Sequence, residues 1–443
     1  MGDDTGAQRL TADRIRSANE RKRAFLESFA ANGGRFAEGN RSKPLVGPLN
    51  PGCRTCIGGT WSCLYLNTLC TQDCFFCPQE RRAEADGRAS TDDGLVFTSP
   101  EDYAGYLRAF PFEGVGISGG EPLRTFDRLV AYVRAARGAL GPAAHLWVYT
   151  NGDLATDGKL RELAASGLDE LRFNLVPGGY DPRPLERAAR HIPAVTVEVP
   201  VIPEDAPALT GRLRDFAAAG ARYVNLHQLM RTEHNAPAID ARGYAVTHAG
   251  RYLHGCPVVD SELCAFDLLE HALSSGDGLG VNYCTRCYKG RFQERAYRRR
   301  HAAMFGRPAE SLTDAAYLRR AEPAIPSEVS RMPDAADVTY FDLTLKPAED
   351  AAPDGGATLE FGGNRVVLSE ERVYGCRLAN PTAVLFFRRH FCEGAEAGRI
   401  QSEAAEIFRL DGAARAGLRD DFAAFRALFE GLEFLASDLP DYD

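Results

Sequence analysis

No run of about 18 apolar residues occurs anywhere in this 443-residue chain, which excludes an ordinary membrane-spanning helix. The N-terminal stretch MGDDTGAQRLTADRIRSANERKRAF lacks the apolar core that a secretory signal needs. Excess positive charge is also missing. With 52 basic against 61 acidic residues the net charge is −9, which argues against a broad nucleic-acid surface. Internal repeats and long low-complexity tracts are absent, so a solenoid is excluded. These absences point to a cytoplasmic protein, where thiols stay reduced and a disulfide framework is not expected.

Cysteine is what the chain does have. Six of its 12 cysteines fall between Cys53 and Cys77 and four between Cys256 and Cys287, while Cys376 and Cys392 stand apart. In a reducing compartment such clusters read first as metal ligands. The composition is otherwise that of a globular protein, 44% hydrophobic and 26% charged, and the length calls for one large domain with a smaller one.

Short β-rich runs recur about one βαβ unit apart: LYLNTL (64–69), GVGIS (114–118), HLWVYT (145–150), ELRFNL (170–175), AVTVEVPV (194–201) and YVNLHQL (223–229). Segments of helical periodicity separate them, as in FDRLVAYVRAARGAL, where Leu129, Val130, Val133 and Ala136 form one apolar stripe. The fold class expected is α/β, a partial (β/α)6 TIM-type barrel with a small C-terminal α+β accessory domain. The domains read as an N-terminal helical extension (1–50), a barrel with flanking Cys-rich segments (51–305) and the accessory domain (330–443). In that domain VTYFDLTLKP, GATLEF, NRVVLS and AVLFFRRHF suggest antiparallel strands. Reactive groups of such barrels gather where strands end, and Cys70, Gly119–Glu121, Asn151–Gly152, Asn174 and His227 fall there.

Cys70, Cys74 and Cys77 follow the first run with the spacing C-x3-C-x2-C. Three thiolates on a four-iron cluster leave one iron open to another ligand. CTQDCFFCP resembles the cluster loop of the radical SAM superfamily, and SGGEP (118–122) and YTNG (149–152) resemble segments on that family's next strands. The resemblance covers roughly residues 60–230. It implies that a [4Fe–4S] cluster on Cys70, Cys74 and Cys77 passes one electron to S-adenosyl-L-methionine, giving methionine and a 5′-deoxyadenosyl radical that abstracts hydrogen from a substrate. It implies that Gly119, Gly120 and Glu121 hold the methionyl end. Asn151, Asn174 (or Arg172) and Val201 are placed near the rest of the cofactor. It also implies an oxidoreductase fed by a flavodoxin- or ferredoxin-type electron donor.

Cys53-x2-Cys56-x6-Cys63 is a second metal motif, for another [4Fe–4S] cluster or for zinc, and Cys287 is a candidate ligand with it. If 63–70 is extended, Cys63 lies about 23 Å from Cys70, beneath the barrel. Cys284, at the end of the strand-like VNYC, is a candidate catalytic hydrogen donor or a further ligand. Cys256 and Cys264 read equally well as buried small hydrophobes. NLHQLMRTEHN holds His227, Gln228, Glu233, His234 and Asn235, which read first as hydrogen-bonded structure and second as substrate contacts. KGRFQERAYRRRH (289–301) reads first as a solvated basic helix face and second as a phosphate- or peptide-binding surface; FRRH (387–390) is a weaker signal of the same kind. The function expected is radical chemistry on a small metabolite, sugar or peptide: epimerisation, dehydrogenation or rearrangement. The alternatives are a glycyl-radical-enzyme activase-like protein and a non-catalytic zinc or iron–sulfur protein.

Overall fold

Period-two alternation of apolar and polar residues in a set of parallel strands decides this architecture. The computed structural model describes residues 10–79, 88–91, 94–247, 255–289, 293–308, 310–322, 337–347, 358–372, 439, 441 and 442. Within it run β1 (Trp61–Tyr65), β2 (Gly114–Ser118), β3 (His145–Thr150), β4 (Glu170–Phe173), β5 (Ala194–Val201), β6 (Tyr223–Gln228) and β7 (Gly280–Cys284). Each is parallel to the next. Six of these strands match the expected runs, and β7 is the further strand that VNYC suggests. Short antiparallel strands flank both ends, Pro44–Val46 beside β7 and Ala89–Thr91 beside β1. β1 starts three residues earlier than its sequence run and stops at Tyr65, because the chain turns at once into the cysteine loop.

The outward positions Ile117, Val148, Leu171, Val197, Leu226 and Val281 are buried against the connecting helices. These are α3 (Pro100–Ala109), α4 (Phe126–Leu140), α5 (Asp157–Ala165), α6 (Arg183–Ala189) and α7 (Ala206–Ala218), with α8 (Val259–Ser275) between β6 and β7. Leu129, Leu163, Leu185, Leu213 and Phe266 supply their side of this core. The N-terminal helix Ala12–Ala31 is capped by Thr11 and rests on α8, where Phe25 stacks on Phe266 at 4.1 Å.

The inward positions are polar: Cys63, Tyr149, Glu170, Arg172, Thr196, Glu198, Asn225, His227, Asn282 and Cys284 occupy alternate sites along the same strands. A floor is laid by the short helix Pro51–Gly58. Asn50 caps its first turn and also donates to Glu170 at 2.5 Å. A Cβ on Gly52 would overlap the Arg172 guanidinium, so this helix lies directly on the inward layer.

Beyond α9 (Glu294–Phe305) lies an antiparallel sheet with strands Leu318–Glu322, Asp337–Pro347, Thr358–Phe361 and Asn364–Arg372. The expected strand AVLFFRRHF, the FRRH motif, Cys376 and Cys392 lie outside the described residues. The basic run 289–301 departs from the solvated face expected of it. Arg300 donates to the carbonyls of Gly59 (3.0 Å) and Trp61 (3.3 Å), and Arg298 donates to that of Ala315. His301 is fully buried with Nδ1 2.8 Å from the Leu343 carbonyl. These charges serve as backbone caps joining the barrel to the sheet.

Candidate active site

The cysteine loop begins where β1 ends and is held against the end of β2 by backbone pairing. The amide of Gly120 donates to Asn67 O at 2.8 Å and that of Glu121 to Leu69 O at 2.6 Å. Gly119 has φ +130°, and a Cβ on Gly119 or Gly120 would overlap the Asn67 or Leu69 carbonyl. Glycine is thus required at both positions for the loop to lie this close.

Glu121 couples β2 to β3. It is fully buried and accepts from Thr150 Oγ1 (2.9 Å), the Asn151 amide (2.8 Å) and the Leu123 amide (3.0 Å). Burial raises its carboxyl above the usual range, opposed by those donors. Asn151 completes the circuit: its Nδ2 donates to Thr71 Oγ1 at 2.8 Å and lies 3.9 Å from Cys70 Sγ. Asp153 accepts from Thr71 and Gln72, and Arg124 donates to the Cys70 carbonyl at 3.0 Å.

The far side of the loop crosses to the segment after β6. Phe75 and Phe76 pack with Leu229, Ile239, Tyr244 and Val258. The Arg242 guanidinium sits 3.5 Å over the Phe75 ring. Asn235 is buried and donates to the carbonyls of Phe76 and Met230, both at 3.1 Å. Asn235 thus anchors the loop, the structural one of the two roles open to it. Glu233 and His234 are exposed on the adjoining turn.

Inside the lumen a charged chain crosses the strands. His145 pairs with Glu170 at 2.7 Å, Glu170 with Arg172 at 3.0 Å, and Arg172 with Glu198 at 3.3 Å. Glu198 meets His227 Nε2, and His227 Nδ1 lies 2.7 Å from Lys289 Nζ. An ammonium only donates, so Nδ1 accepts and Nε2 carries the proton toward Glu198. Burial alone would raise the Glu198 carboxyl, but His227, Arg172 and Asn225 hold it far below the usual range. Burial and Lys289 push His227 down, against the pull of Glu198. Arg172 also lies 4.6 Å over the Trp147 ring, which makes it a hub of the floor and leaves Asn174 as the polar residue at the end of β4. Asn174 Oδ1 there accepts the Val176 amide at 3.2 Å.

The remaining cysteines separate. Cys63 faces the lumen, opposite Gly116, two residues from the end of β1. Because the strand stops at Tyr65, Cys63 is not beneath the barrel. Cys53 lies 3.7 Å from Asn225 Oδ1 and 3.6 Å from Asn282 Nδ2. Gln293 donates to Cys56 at 3.2 Å, and Lys43 donates to Cys284. Burial pushes the Cys53 and Cys56 thiols up to about 12 each. Cys287 is buried in the short turn after β7 and packs with the apolar core. Cys264 on α8 packs against the same core, as a small hydrophobe would. Val201 also points outward into the core, one residue out of phase with Pro200, so only its backbone can meet a ligand at the mouth. Among the described residues no three His, Cys, Asp or Glu side chains close on a single metal ion. Cys70, Cys74 and Cys77 nevertheless stand on one short loop as partly exposed thiols outside any disulfide, the soft donors an iron–sulfur cluster takes.

The Radical SAM superfamily pattern matches residues 64–176, the span from β1 past the end of β4. The chain carries a radical SAM domain over that span. The superfamily uses a [4Fe–4S] cluster with S-adenosylmethionine, a group that the thiols of Cys70, Cys74 and Cys77 would suit. A putative glycyl-radical enzyme activating enzyme of Methanocaldococcus jannaschii is 25% identical over 286 residues, 61% of this chain and 72% of the relative. Among solved structures, BtrN in complex with AdoMet aligns over 26% of this chain and 45% of its own, at 22% identity and a TM-score of 0.22. Streptococcus suis SuiB bound to S-adenosylmethionine aligns over 54% and 52%, at 14% identity and a TM-score of 0.35. The chain thus spans about half the length of these two, and scores this low carry no argument about its activity. Among the described residues no helix is long and apolar enough to cross a membrane.

The sequence reading missed Lys43, Trp147, Tyr149 and Glu198, and took Lys289 only as the start of a basic run. The signal was present: Glu198 interrupts AVTVEVPV at an inward position, where a strand buried on both faces would be apolar.

Proposed function

We propose that this enzyme cleaves S-adenosylmethionine reductively at a cluster held by Cys70, Cys74 and Cys77, and directs the radical at a substrate held in the polar lumen. The observation that carries the reading is the Glu121 junction, which ties the GGE segment to Thr150 and Asn151, and through Asn151 to the Cys70 loop. When bound, the cluster supplies one electron to the cofactor, whose cleavage gives methionine and a 5′-deoxyadenosyl radical able to take hydrogen from a C–H bond. The chain's own residues do the rest. Gly119–Glu121 and Asn151 form the methionyl side of the mouth, and Asn174 with the backbone around Val201 forms the opposite rim. Trp147, Arg172 and the floor helix exclude water from below. Cys284 opens onto the lumen as the candidate hydrogen donor.

The reaction classes this arrangement suits are epimerisation, dehydrogenation and rearrangement, on a small metabolite, sugar or peptide. A second reading, activation of a glycyl-radical partner protein, draws on the name of the archaeal relative. Anaerobic reconstitution with iron and sulfide tests the core claim. Reduction with dithionite in the presence of S-adenosylmethionine is expected to release 5′-deoxyadenosine, with a cluster EPR signal that shifts when the cofactor is added. A colourless protein that binds zinc and leaves the cofactor intact would refute it.

A further inference from the structure

Among the described residues the lumen holds Arg172, Lys43 and Lys289 against the carboxylates of Glu170 and Glu198. Arg172 is paired with Glu170 and Glu198, and both carboxylates are occupied further by His145 and His227. Lys43 is 1% exposed; it donates to Cys284 and lies 4.8 Å from the Tyr288 ring centroid. Lys289 donates to His227 Nδ1. Among the described residues neither ammonium has a carboxylate within ion-pair distance. Lys43 is thus withdrawn from water with a thiol and no carboxylate beside it, an unfavourable setting for an ammonium, while Lys289 adds a second, partly exposed charge.

The two lysines face one space. Cys284, which Lys43 meets, and His227, which Lys289 meets, stand directly opposite each other on β7 and β6. That space is open to solvent: Glu198, His227, Cys284 and Lys289 keep partial exposure, while Val199, Leu226 and Tyr283 between them are buried.

We propose that Lys43 and Lys289 form an anion-binding site in the lumen, and that the substrate enters it through a carboxylate or phosphate group. The inference rests on the reading of the lumen as the substrate chamber. Two separate point charges on flexible stems suit a tetrahedral or planar anion equally, so carboxylate and phosphate are distinguished by experiment.

The test uses the reconstituted iron–sulfur holoenzyme under anaerobic conditions. Inorganic phosphate and acetate are titrated separately by calorimetry, with ionic strength held constant by chloride. At least one anion is expected to bind and to raise Tm, and whichever does so names the group. Lys43→Met and Lys289→Met are each expected to weaken that binding at least tenfold. Arg214→Gln, at a side chain 81% exposed, leaves it unchanged. Without anion, Lys43→Met should melt no lower than the parent, since it removes an unbalanced charge; Lys43→Arg keeps the site if the Met variant does not fold. Equal affinity in parent and variants, or no binding beyond that of chloride, overturns the proposal. That result includes the case in which iron on Cys53, Cys56 and Cys284 already neutralises Lys43. Release of 5′-deoxyadenosine is recorded in the same preparations. Its absence sinks the proposed function while leaving the anion titration readable; its presence without anion binding sinks this inference alone.

Discussion

Glu121 and Thr150 share one hydrogen-bonded junction: the Thr150 hydroxyl lies 2.9 and 3.0 Å from the two oxygens of the Glu121 carboxylate. The ends of neighbouring strands are thereby fixed to one another before any cofactor arrives, and the Cys70 loop is fixed to both. Rigid support of this kind holds a site in productive geometry.

Replacing Cys70, Cys74 and Cys77 together by Ala should remove about four irons per chain and abolish 5′-deoxyadenosine release. Cys287→Ser should leave the iron content unchanged, because Cys287 lies in the apolar core. Iron and sulfide counts on both variants check this.

Gly120→Ala places a methyl group on the Leu69 carbonyl. Overpacking of this kind costs about 1–3 kcal/mol, and the strain falls on the cluster loop. Chemical denaturation should register the loss, and the cluster EPR signal should broaden or weaken while the far-ultraviolet circular dichroism is retained.

Glu170 sits at the centre of the floor, fully buried between His145, Arg172 and Thr196. Burial raises its carboxyl, but Arg172 and His145 more than reverse this and hold it below the ordinary value. A lowered folded-state pKa means that its stabilisation is present above the ordinary glutamate range and is lost as pH falls through the lowered value. Glu170→Ala should cost about 3–5 kcal/mol at neutral pH by leaving Arg172 short of an anion. The difference between parent and variant should shrink below about pH 4. Urea titrations across the acid range measure both effects.

Asn235→Ala removes the donor that holds Phe76 and Met230. With two part-buried carbonyls losing this donor, a loss of about 1 kcal/mol is expected, together with faster bleaching of the cluster in air. The affinity for substrate should stay as it was. A raised substrate KM with an air-stable cluster would mean that Asn235 touches substrate after all.

Much of the barrel was legible because its two periods are clean. HLWVYT, GVGIS and AVTVEVPV match β3, β2 and β5 to the residue, and FDRLVAYVRAARGAL matches α4. Local chemistry also exposed the cysteine triplet and its glycines. What could not be read depended on partners distant in sequence. Arg298, Arg300 and His301 look like a solvated basic stripe until Gly59, Ala315 and Leu343 are brought to them as acceptors. Asn235 is open to both roles until Phe76 arrives from 159 residues away. Strand phase turns the Val201 side chain into the core and leaves only its backbone at the mouth. Lys43 carried no local sign at all, since it precedes the first cysteine in a Pro- and Gly-rich approach.

The helix Pro51–Gly58 lies on Arg172 and Trp147 through Gly52, so the N-terminal end of the lumen is stoppered. Traffic is then one-way in kind: substrate, cofactor and the leaving methionine and 5′-deoxyadenosine all pass the same mouth. A substrate seated on Lys43 lies deeper than the Cys70 loop and is covered by whatever binds above it. Steady-state kinetics should therefore show compulsory order, with substrate loading ahead of S-adenosylmethionine and departing only after it.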